Sequence, residues 1–291
     1  MATTQNLERT TSMQDAPVIT EAKSPLAGVL RYAAIGLILL FLLLPLLTFL
    51  INAFAFRWFY PQFFPKELSL QAWDNIFAPN FKVGEALWNS TLIAVVVTWV
   101  SIIIGIPAAR ALGMYKFRYK RVVEFFILAP IIVPGISISL GLNINFIRWG
   151  LSGTIPGVML VHLIPVMPYV VLTLSGVFAN YNADFEDQAR TLGAGPIATF
   201  RYVTFPAIFP GIMVASLFAF LVSWSQYILT FLIGGGQVIT MPVLLFSTVP
   251  GGRNPNIAAL SLVFIGPAIL ILILTSRFLS GKSAIGGFGQ I

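Results

Sequence analysis

The sequence predicts an all-α protein, a polytopic membrane helix bundle of six transmembrane helices. Three observations lead to this fold class. Hydrophobic residues make up 57% of the 291 residues, and charged residues make up only 9%. The mean hydropathy is +0.89, and a soluble domain carries far more charge, about 25% of its residues. The apolar residues also fall into six runs that are each long enough to cross a bilayer.

The six predicted spans follow one another along the chain. Each contains about 20 apolar residues, the number that crosses the hydrocarbon core as a helix. Their approximate limits are Tyr32–Phe56, Thr91–Leu112, Val122–Asn143, Ile155–Phe178, Pro210–Ile233 and Ile257–Leu279. Three spans also contain residues that bend or interrupt helices, either around a passage or for packing alone. These residues are Pro130, Pro134, Pro165, Pro168 and the pair Gly266-Pro267.

The polar ends of the chain are predicted to lie outside the helical domain. Residues 1–29 are predicted as a flexible tail, because they are polar and lack the basic start and apolar core of a signal peptide. Residues 30–280 form the predicted six-helix transmembrane domain, and residues 281–291 form a C-terminal tail. The long aromatic-rich loop at about 57–90 either caps the bundle or contacts an external partner.

Basic residues in the connections predict the orientation of the chain. The N-terminal tail, the second-to-third connection, the fourth-to-fifth connection and the C-terminus together carry twelve Lys and Arg residues, and the opposite side carries five. Cytoplasmic loops collect Lys and Arg, so both termini are predicted to be cytoplasmic. The same bias explains the net charge of +7 without nucleic acid as a partner.

Few side chains are available for chemistry. The chain has no cysteine and one histidine, His162, so disulfides, thiolate catalysis and sites with several His ligands are excluded. A membrane-embedded enzyme would need a cluster of catalytic groups, and a secondary transporter would need ion-coupling acids or interrupted helices at mid-membrane. No Asp or Glu falls in the middle of a predicted span, which disfavours both classes.

The connection between the fourth and fifth spans, residues 180–211, is the most polar long stretch after the N-terminal tail. Its pattern predicts two short helices separated by a break. Asn182 or Asp184 can cap the first helix. Gly193 takes the position in which glycine often ends a helix, and Pro196 suits the first turn of the second helix.

Both short helices are predicted to be amphipathic. Phe185, Ala189 and Leu192 are spaced three or four residues apart, which places them on one face of the first helix. The second helix is expected to end at Pro206 and Pro210, before the fifth span begins. Exposed apolar side chains on such a hairpin either bind a partner or pack against the protein's own helices.

The connection resembles the coupling loop of permease subunits of ABC importers. The family pattern is Glu-Ala-Ala, three residues, Gly, nine residues and then Ile-x-Leu-Pro. The corresponding residues here are Asp187-Gln188-Ala189, Gly193 and Val203-Thr204-Phe205-Pro206, with the same spacing. Asp in place of Glu, Gln in place of Ala, and the different ending are departures that preserve size class or polarity. The likeness extends over about residues 30–280.

The resemblance implies a type I ABC importer permease of a bacterial plasma (inner) membrane that works in an assembly. Similar permeases pair with a second permease, expected to be a different chain, with two ATPase subunits and with an extracytoplasmic solute-binding protein. ATP and Mg are expected in the ATPase subunits, since this chain lacks a G-x-x-x-x-G-K-[ST] phosphate loop and is expected to hold no cofactor or metal. The coupling loop, residues 179–209, is expected to dock on an ATPase. The implied docking residues are Asp184, Phe185, Glu186, Asp187, Gln188, Ala189, Leu192, Gly193 and Ala194.

The fifth span and the loop after it are similar to the spermidine/putrescine branch of these permeases, which also serves opine-like compounds and phosphonates. Matching features include Thr230-Phe231, the stretch 240–243 and the segment 255–259. Polyamine permeases tend to place acids in the middle of this span, where this chain has Ser225 and Gln226. An unpaired polycation in a low-dielectric passage is costly, so a polyamine cargo would need acids from the partner permease. A small polar solute is expected.

Polar and aromatic groups in the fourth and fifth spans are the candidates for the solute passage. The alternative for each is a polar side chain satisfied by a neighbouring helix. The candidate passage residues are His162, Trp224, Ser225, Gln226, Tyr227 and Thr230. The sequence therefore predicts a passage-forming subunit of an importer. The alternative function is a secondary active transporter or channel of the inner membrane.

Overall fold

The computed structural model describes residues 25–56, 58, 62–252 and 254–279. The C-terminal tail predicted at 281–291 lies outside these residues, as does most of the N-terminal tail predicted at 1–29. The backbone is already helical from Pro25 onward. The first helix therefore begins before the predicted boundary at residue 30.

Helices account for most of the described chain, together with one pair of two-residue strands. In chain order the elements are α1 Pro25–Ala53, β1 Ala55–Phe56, β2 Glu67–Leu68, α2 Gln71–Phe77, α3 Val83–Met114, α4 Lys120–Ile132, α5 Gly135–Arg148, α6 Ile155–Ala179, α7 Asp184–Thr191, α8 Pro196–Thr199, α9 Phe205–Trp224, α10 Ile228–Gly234, α11 Met241–Thr248 and α12 Asn254–Leu279. A π-helical turn at Phe200–Thr204 connects α8 and α9.

The chain divides into two compact units, residues 1–48 and 49–291, and α1 crosses their boundary. Its stretch Tyr32–Ala53 has a mean hydropathy of 2.9. The first span was predicted to reach Phe56, but the helix stops at Ala53. Residues 55–56 instead pair with β2 in an antiparallel ladder, because the chain turns back at this point to begin the long first loop.

The main core of the second unit lies where α3, α6 and α9 pack together. Two glycines on α3 permit its close approach to α6. A Cβ atom on Gly113 would lie 2.6 Å from the carbonyl oxygen of Ser175, and one on Gly105 would lie 2.5 Å from Cγ1 of Val170. Small residues at helix crossings are the usual means of tight packing within a membrane, where apolar burial alone does not hold helices together.

The predicted third span is two helices instead of one. α4 ends at Ile132, α5 begins at Gly135, and the pair is bent by 99° at the break. Pro134 accounts for the break, because it has no amide to donate and disfavours the helical conformation at the residue before it. Val133 is accordingly extended, with ψ at 127°.

The predicted fifth span is shifted and interrupted. One helix of 29 residues runs from Pro196 through the π-helical turn to Trp224, so Pro206 and Pro210 lie inside it and do not end it. The widened π-helical turn stands immediately before α9, where Pro206 lacks an amide for the regular ladder. The helix then ends at Trp224, and α10 begins only at Ile228.

The last span, α12, is one helix that contains Pro267, so the predicted break at Gly266-Pro267 is absent. α12 packs on α9, α2 and α11 around a second core cluster. Hydrogen bonds tie the segment before α11 to α3: Nδ2 of Asn89 donates to the carbonyl oxygen of Ile239 at 3.0 Å, and the amide of Met241 donates to Oγ of Ser90 at 2.7 Å.

The described residues contain five unbroken helices that are long and apolar enough to cross a membrane. The bent pair α4–α5 brings the number to six if it counts as one span. The all-α membrane bundle predicted from the sequence is thus confirmed. The differences concern the end of the first span and the positions of helix breaks in the third, fifth and sixth spans.

Candidate functional site

The polar connection between α6 and α9 folds as the predicted hairpin. Oδ1 of Asn182 accepts the amide of Asp184 at 2.9 Å, so Asn182 satisfies a free amide at the start of α7. Gly193 follows the helix with φ at +89°, a conformation that favours glycine. The amide of Ala194 donates back to the carbonyl oxygen of Ala189 at 3.0 Å, which closes the end of the helix as predicted.

A buried ion pair fastens α7 to the bundle. The carboxylate of Glu186 accepts two hydrogen bonds from the guanidinium of Arg110 on α3, at 3.0 Å from Nη1 and 2.6 Å from Nη2. Oγ1 of Thr204, at the end of the π-helical turn, donates to the same carboxylate at 2.7 Å. Arg190, one turn further along α7, lies 3.6 Å away. One carboxylate therefore joins α3, α7 and the start of α9.

The electrostatics of this carboxylate favour its charged form. Burial by itself would raise the pKa of Glu186, but the hydrogen bonds from Arg110 and Thr204 outweigh it, and the net effect lowers the pKa from its ordinary value of 4.5. Bidentate Arg–carboxylate pairs are among the strongest hydrogen-bonded contacts in proteins. The attachment of α7 is therefore charged and rigid at neutral pH.

The prediction included Glu186 among the residues that dock a partner, whereas in the structure its carboxylate is bonded to the bundle. Its side chain is 4% exposed and faces Arg110. Leu192 and Ile197, in contrast, are 88% and 84% exposed. α7 ends at Thr191, so Leu192 belongs to the turn after the helix and does not share a helical face with Phe185 and Ala189.

The other predicted docking residues lie on the outer side of the hairpin. Ala189 and Ala194 are half-buried, and the remaining ones are exposed. The exposed ones are Asp184, Phe185, Asp187, Gln188, Leu192 and Gly193. Sequence reasoning missed Arg110 and Thr204, because they lie 76 and 18 residues from Glu186. The signal that could have found Arg110 is a lone charge inside an apolar helix, which requires a partner.

A second feature is a cavity of about 300 Å³ at the bend between α4 and α5. α6 and the end of α9 complete its wall, and Gln226 lies there in the break between α9 and α10. No charged side chain borders it. The lining residues are Pro130, Ile131, Ile132, Val133, Pro134, Gly135, Ile138, Pro165, Tyr169, Val222, Gln226 and Leu229.

Three of the predicted passage residues are buried and bonded within the protein. Trp224 is 2% exposed, stacks between Phe220 and Phe264, and donates its indole N–H to the carbonyl oxygen of Phe264 at 3.1 Å. His162 and Thr230 are 1% and 0% exposed and are hydrogen-bonded to each other at 2.8 Å. For His162 the alternative of an interhelical hydrogen bond is what the structure contains.

The other three predicted passage residues form the break between α9 and α10. Gln226 borders the cavity. Ser225 is exposed and donates its hydroxyl to the carbonyl oxygen of Leu221 at 2.8 Å. The ring of Tyr227 stacks on Phe246 with 4.3 Å between centroids. The cavity therefore receives one of the six predicted side chains, in a wall that is otherwise largely apolar.

Within the described residues, no group of three or more His, Cys, Asp or Glu side chains could hold a metal ion. The structure combines apolar membrane-length helices, a cavity at two helix breaks, and a polar hairpin anchored by a buried ion pair. These features define a class, that of polytopic membrane transport proteins with an attachment hairpin.

Comparison with known families makes the class specific. Residues 101–280 match the family described as binding-protein-dependent transport system inner membrane component. This match covers more than half of the 291 residues, and the chain belongs to that family. It is a multi-pass membrane protein and the permease subunit of an ABC importer, as the coupling-loop pattern predicted, and the alternative of a secondary transporter or channel is set aside.

Relatives in this family carry several solute names. A putative 2-aminoethylphosphonate transport system permease protein, PhnV of Salmonella typhimurium, is 26% identical over 243 residues, covering 83% of this chain and 90% of that protein. The putrescine transport system permease protein PotI of Escherichia coli is 29% identical over 188 residues, covering 62% and 67%. The trehalose transport system permease protein SugB of Mycobacterium tuberculosis is 29% identical over 226 residues, covering 76% and 82%.

Solved structures share the fold. A chain of a bacterial ABC transporter involved in the import of the acidic polysaccharide alginate superposes with a TM-score of 0.72 at 17% identity, covering 88% of this chain and 97% of that chain. A chain of the bacterial alginate ABC transporter in complex with a pentasaccharide-bound periplasmic protein gives a TM-score of 0.61 at 14% identity, covering 89% and 95%. The importer relatives include the polyamine type, which the similarity in the fifth span predicted.

Proposed function

We propose that this chain forms part of the passage for a small polar organic solute and that the α7 hairpin couples the passage to ATP hydrolysis in partner subunits. The observation that carries the proposal is the two-sided character of the hairpin. Its inner side is fastened by Glu186 to Arg110 at 2.6 Å, and its outer side carries Leu192 at 88% exposure. An exposed apolar side chain on a rigidly attached segment fits a partner surface.

Movement of a docked partner would reach the helices through this attachment. Glu186 connects α7 to α3, and its bond from Thr204 connects α7 to the start of α9. The bidentate geometry fixes direction as well as distance. A displacement of α7 would therefore move α3 and α9 with it, which is the rigid-body transmission that such assemblies need.

The proposed partners follow from the family. Two ATPase subunits would bind ATP and Mg, a second permease would complete the passage, and an extracytoplasmic solute-binding protein would deliver the solute. The excess of basic residues on the hairpin side, twelve against five, supports a cytoplasmic position for the hairpin and both termini. The long first loop then lies on the side from which the solute arrives.

The cavity supports a solute without a large positive charge. None of its lining side chains is charged, and its polar side chains are the amide of Gln226 and the hydroxyl of Tyr169. Such groups recognise a solute by hydrogen bonds, and they leave a polycation uncompensated. Opine-like compounds and other neutral or zwitterionic organic solutes fit this wall best, and a polyamine would need acidic groups from the second permease.

The proposed docking surface is tested by placing a charge on the exposed side of the hairpin. Leu192→Asp, made in the full chain and co-expressed with the ATPase subunits and second permease encoded with it, is expected to lose co-purification with the ATPases and solute-stimulated ATP hydrolysis. The matched control is Leu68→Asp, which changes a leucine that is 75% exposed in the loop on the opposite side. If the Leu192 variant retains its ATPases as well as the Leu68 variant does, the hairpin is not the docking site.

A further inference from the structure

Three buried polar side chains form a chain of hydrogen bonds beside the cavity. His162 on α6 has Nδ1 2.9 Å from Oγ of Ser223 on α9 and Nε2 2.8 Å from Oγ1 of Thr230 on α10. Oγ1 of Thr230 in turn donates to the carbonyl oxygen of Gln226 at 3.0 Å. Each of the three side chains is at most 3% exposed. The hydrogen bonds thus lead from Ser223 on α9 through His162 and Thr230 to Gln226 in the cavity wall.

The available protons fix the direction of this chain. The Thr230 hydroxyl has one proton, and the carbonyl oxygen of Gln226 can only accept, so the proton of Thr230 goes to Gln226. Nε2 of His162 must then carry a proton and donate to Thr230. Nδ1 is left bare and accepts the Ser223 hydroxyl. A neutral imidazole protonated on Nε2 satisfies every bond, and the reverse direction leaves the Gln226 carbonyl without this donor.

These hydrogen bonds hold the break between α9 and α10 at the backbone carbonyl of Gln226. In a continuous helix the amide of residue 230 would donate to the carbonyl of residue 226. Here the hydroxyl of Thr230 donates to it instead, while the amide of Gln226 donates to the carbonyl of Ser223 at 3.3 Å. Ser223 and Thr230 lie on either side of the break, and both hydroxyls are hydrogen-bonded to the imidazole of His162. The backbone at the break is therefore held from α6.

We propose that His162 is a positioning residue of the solute passage, which holds the α9–α10 break through Ser223 and Thr230 and so fixes Gln226 in the cavity wall. The assignment of the cavity to the passage rests on the proposed function. The position of Gln226 does not depend on the proposed function, because it follows from the hydrogen bonds alone. A buried polar chain with every member satisfied is rigid, and a partly satisfied one is not. A single hydroxyl at Thr230 therefore decides how firmly Gln226 is held.

The natural absence of cysteine makes the position of Gln226 directly measurable. Gln226→Cys, in the full chain assembled with its partner subunits in lipid nanodiscs, gives one thiol in the cavity wall. Its rate of reaction with N-ethylmaleimide is measured in three backgrounds: unchanged, Thr230→Val and Thr230→Ser. Valine keeps the shape of threonine and removes the hydroxyl, and serine keeps the hydroxyl. A matched reporter, Ile138→Cys, places a thiol on α5 in the wall of the same cavity.

We expect the reaction rate to change at position 226 and not at position 138. Thr230→Val changes the reaction rate at position 226 by about fivefold, the value of one lost hydrogen bond, and Thr230→Ser changes it by less than about twofold. The reporter at position 138 changes by less than about twofold in both backgrounds. If both reporters change together in Thr230→Val, the role is general packing and the proposal is overturned. If neither changes, the hydrogen-bond chain does not hold Gln226, and the proposal is equally overturned.

Two further arms keep the outcome decisive. Where Thr230→Val does not accumulate in the membrane, Ser223→Ala replaces it and removes the other end of the chain, with the same expectation at position 226. Uptake of 2-aminoethylphosphonate, putrescine and trehalose is measured in the same assemblies without the reporters. For a solute that is taken up, Thr230→Val raises KM more than it lowers the maximal rate. Uptake of putrescine, a dication, without uptake of the other two would contradict the proposed cargo class, and the labelling result then decides the positioning role by itself.

Discussion

Glu186→Gln is the most informative single change in the hairpin. The amide has nearly the shape of the carboxylate but carries no charge, so Arg110 keeps its geometry and loses its counter-ion. Glutamine also has one oxygen where the carboxylate offers two to Nη1 and Nη2. The substitution therefore isolates the charge and the bidentate contact, and it adds no cavity.

The magnitude follows from the burial of the two partners. Breaking a buried ion pair by removing one partner costs about 3–5 kcal/mol. The side chain of Glu186 is 4% exposed, but that of Arg110 is 26% exposed, so water recovers part of the solvation of the guanidinium. We expect a loss of about 2 kcal/mol in the free energy that holds α7 on the bundle. That corresponds to an opening equilibrium about 30-fold more favourable.

Amide hydrogen exchange of residues 184–204, in the assembled transporter in nanodiscs, measures this opening. The expected exchange of α7 is about 30-fold faster in Glu186→Gln than in the unchanged protein. The matched control is Asp187→Asn on the next residue. Asp187 is 70% exposed and only 3.4 Å from an Arg190 that is itself 57% exposed, so its loss is expected to change exchange by less than about threefold.

Equal exchange in the Glu186 variant and the unchanged protein would refute the reasoning, since it would mean that the buried pair does not hold the helix. Equal acceleration in the Glu186 and Asp187 variants would refute it as well. In that case the surface charges of α7 as a whole, and not the contact with Arg110, would account for its stability.

Three further predictions concern other parts of the molecule. Gly193→Ala places a side chain at a φ of +89° and costs about 1–2 kcal/mol, which should speed amide exchange at the end of α7. Gly113→Ala puts a Cβ atom 2.6 Å from the Ser175 carbonyl oxygen and should lower the melting temperature, as overpacking by about 1–3 kcal/mol does. Because the folded pKa of Glu186 lies below its ordinary 4.5, the stabilisation it provides is present above that pH and is lost as pH falls through the folded value. Exchange of α7, corrected for the intrinsic effect of pH, should rise there in the unchanged protein and not in Glu186→Gln.

Controls for these predictions exist in the same chain. Gly195→Ala, at a φ of −72° with open space around it, should leave exchange in the hairpin unchanged. Gly176→Ala, on α6 with nothing near its Cβ position, should leave the melting temperature within a degree or two of the original. Equal effects in Gly193→Ala and Gly195→Ala, or in Gly113→Ala and Gly176→Ala, would contradict the geometric explanations. An acid-induced rise in exchange that persists in Glu186→Gln would assign the pH effect to another group.

The long helices could be predicted from the sequence because a membrane span has a strong local signal. About 20 consecutive apolar residues suffice, and α3, α6 and α12 contain the predicted spans with only a few residues of difference at their ends, apart from an earlier start at Val83. The hairpin could also be predicted, since capping by Asn182 and termination at Gly193 depend on neighbouring residues alone. Its family pattern added the role that local physics left open.

The breaks inside spans could not be located in the same way. Hydropathy is continuous through Val133 and Pro134, and a proline in a membrane helix is equally compatible with a mild bend. α12 contains Pro267 without a break, whereas the pair α4–α5 turns by 99° at Pro134. A proline in an apolar run is thus compatible with both outcomes, and hydropathy does not distinguish them.

The pairing of buried polar groups was also beyond sequence reasoning. Glu186 was predicted to face a partner because it is one of three acids at a helix start, and its contact with Arg110 spans 76 positions. His162 was considered for the passage because it is a polar side chain within the fourth predicted span. Its partners Ser223 and Thr230 lie 61 and 68 positions away. Such contacts depend on how the helices cross, and residue spacing carries no information about it.

The unbroken helix from Pro196 to Trp224 has a mechanical consequence. Its 29 residues extend about 44 Å at about 1.5 Å per residue. A tilt of about 5° around one end of such a rod sweeps the other end through about 4 Å, which exceeds the reach of a hydrogen bond. A slight angular movement beside Ile197 is therefore amplified into an arc large enough to rearrange contacts next to Gln226. Such an arc requires a tilt of the helix as a whole and does not require any helix to unwind.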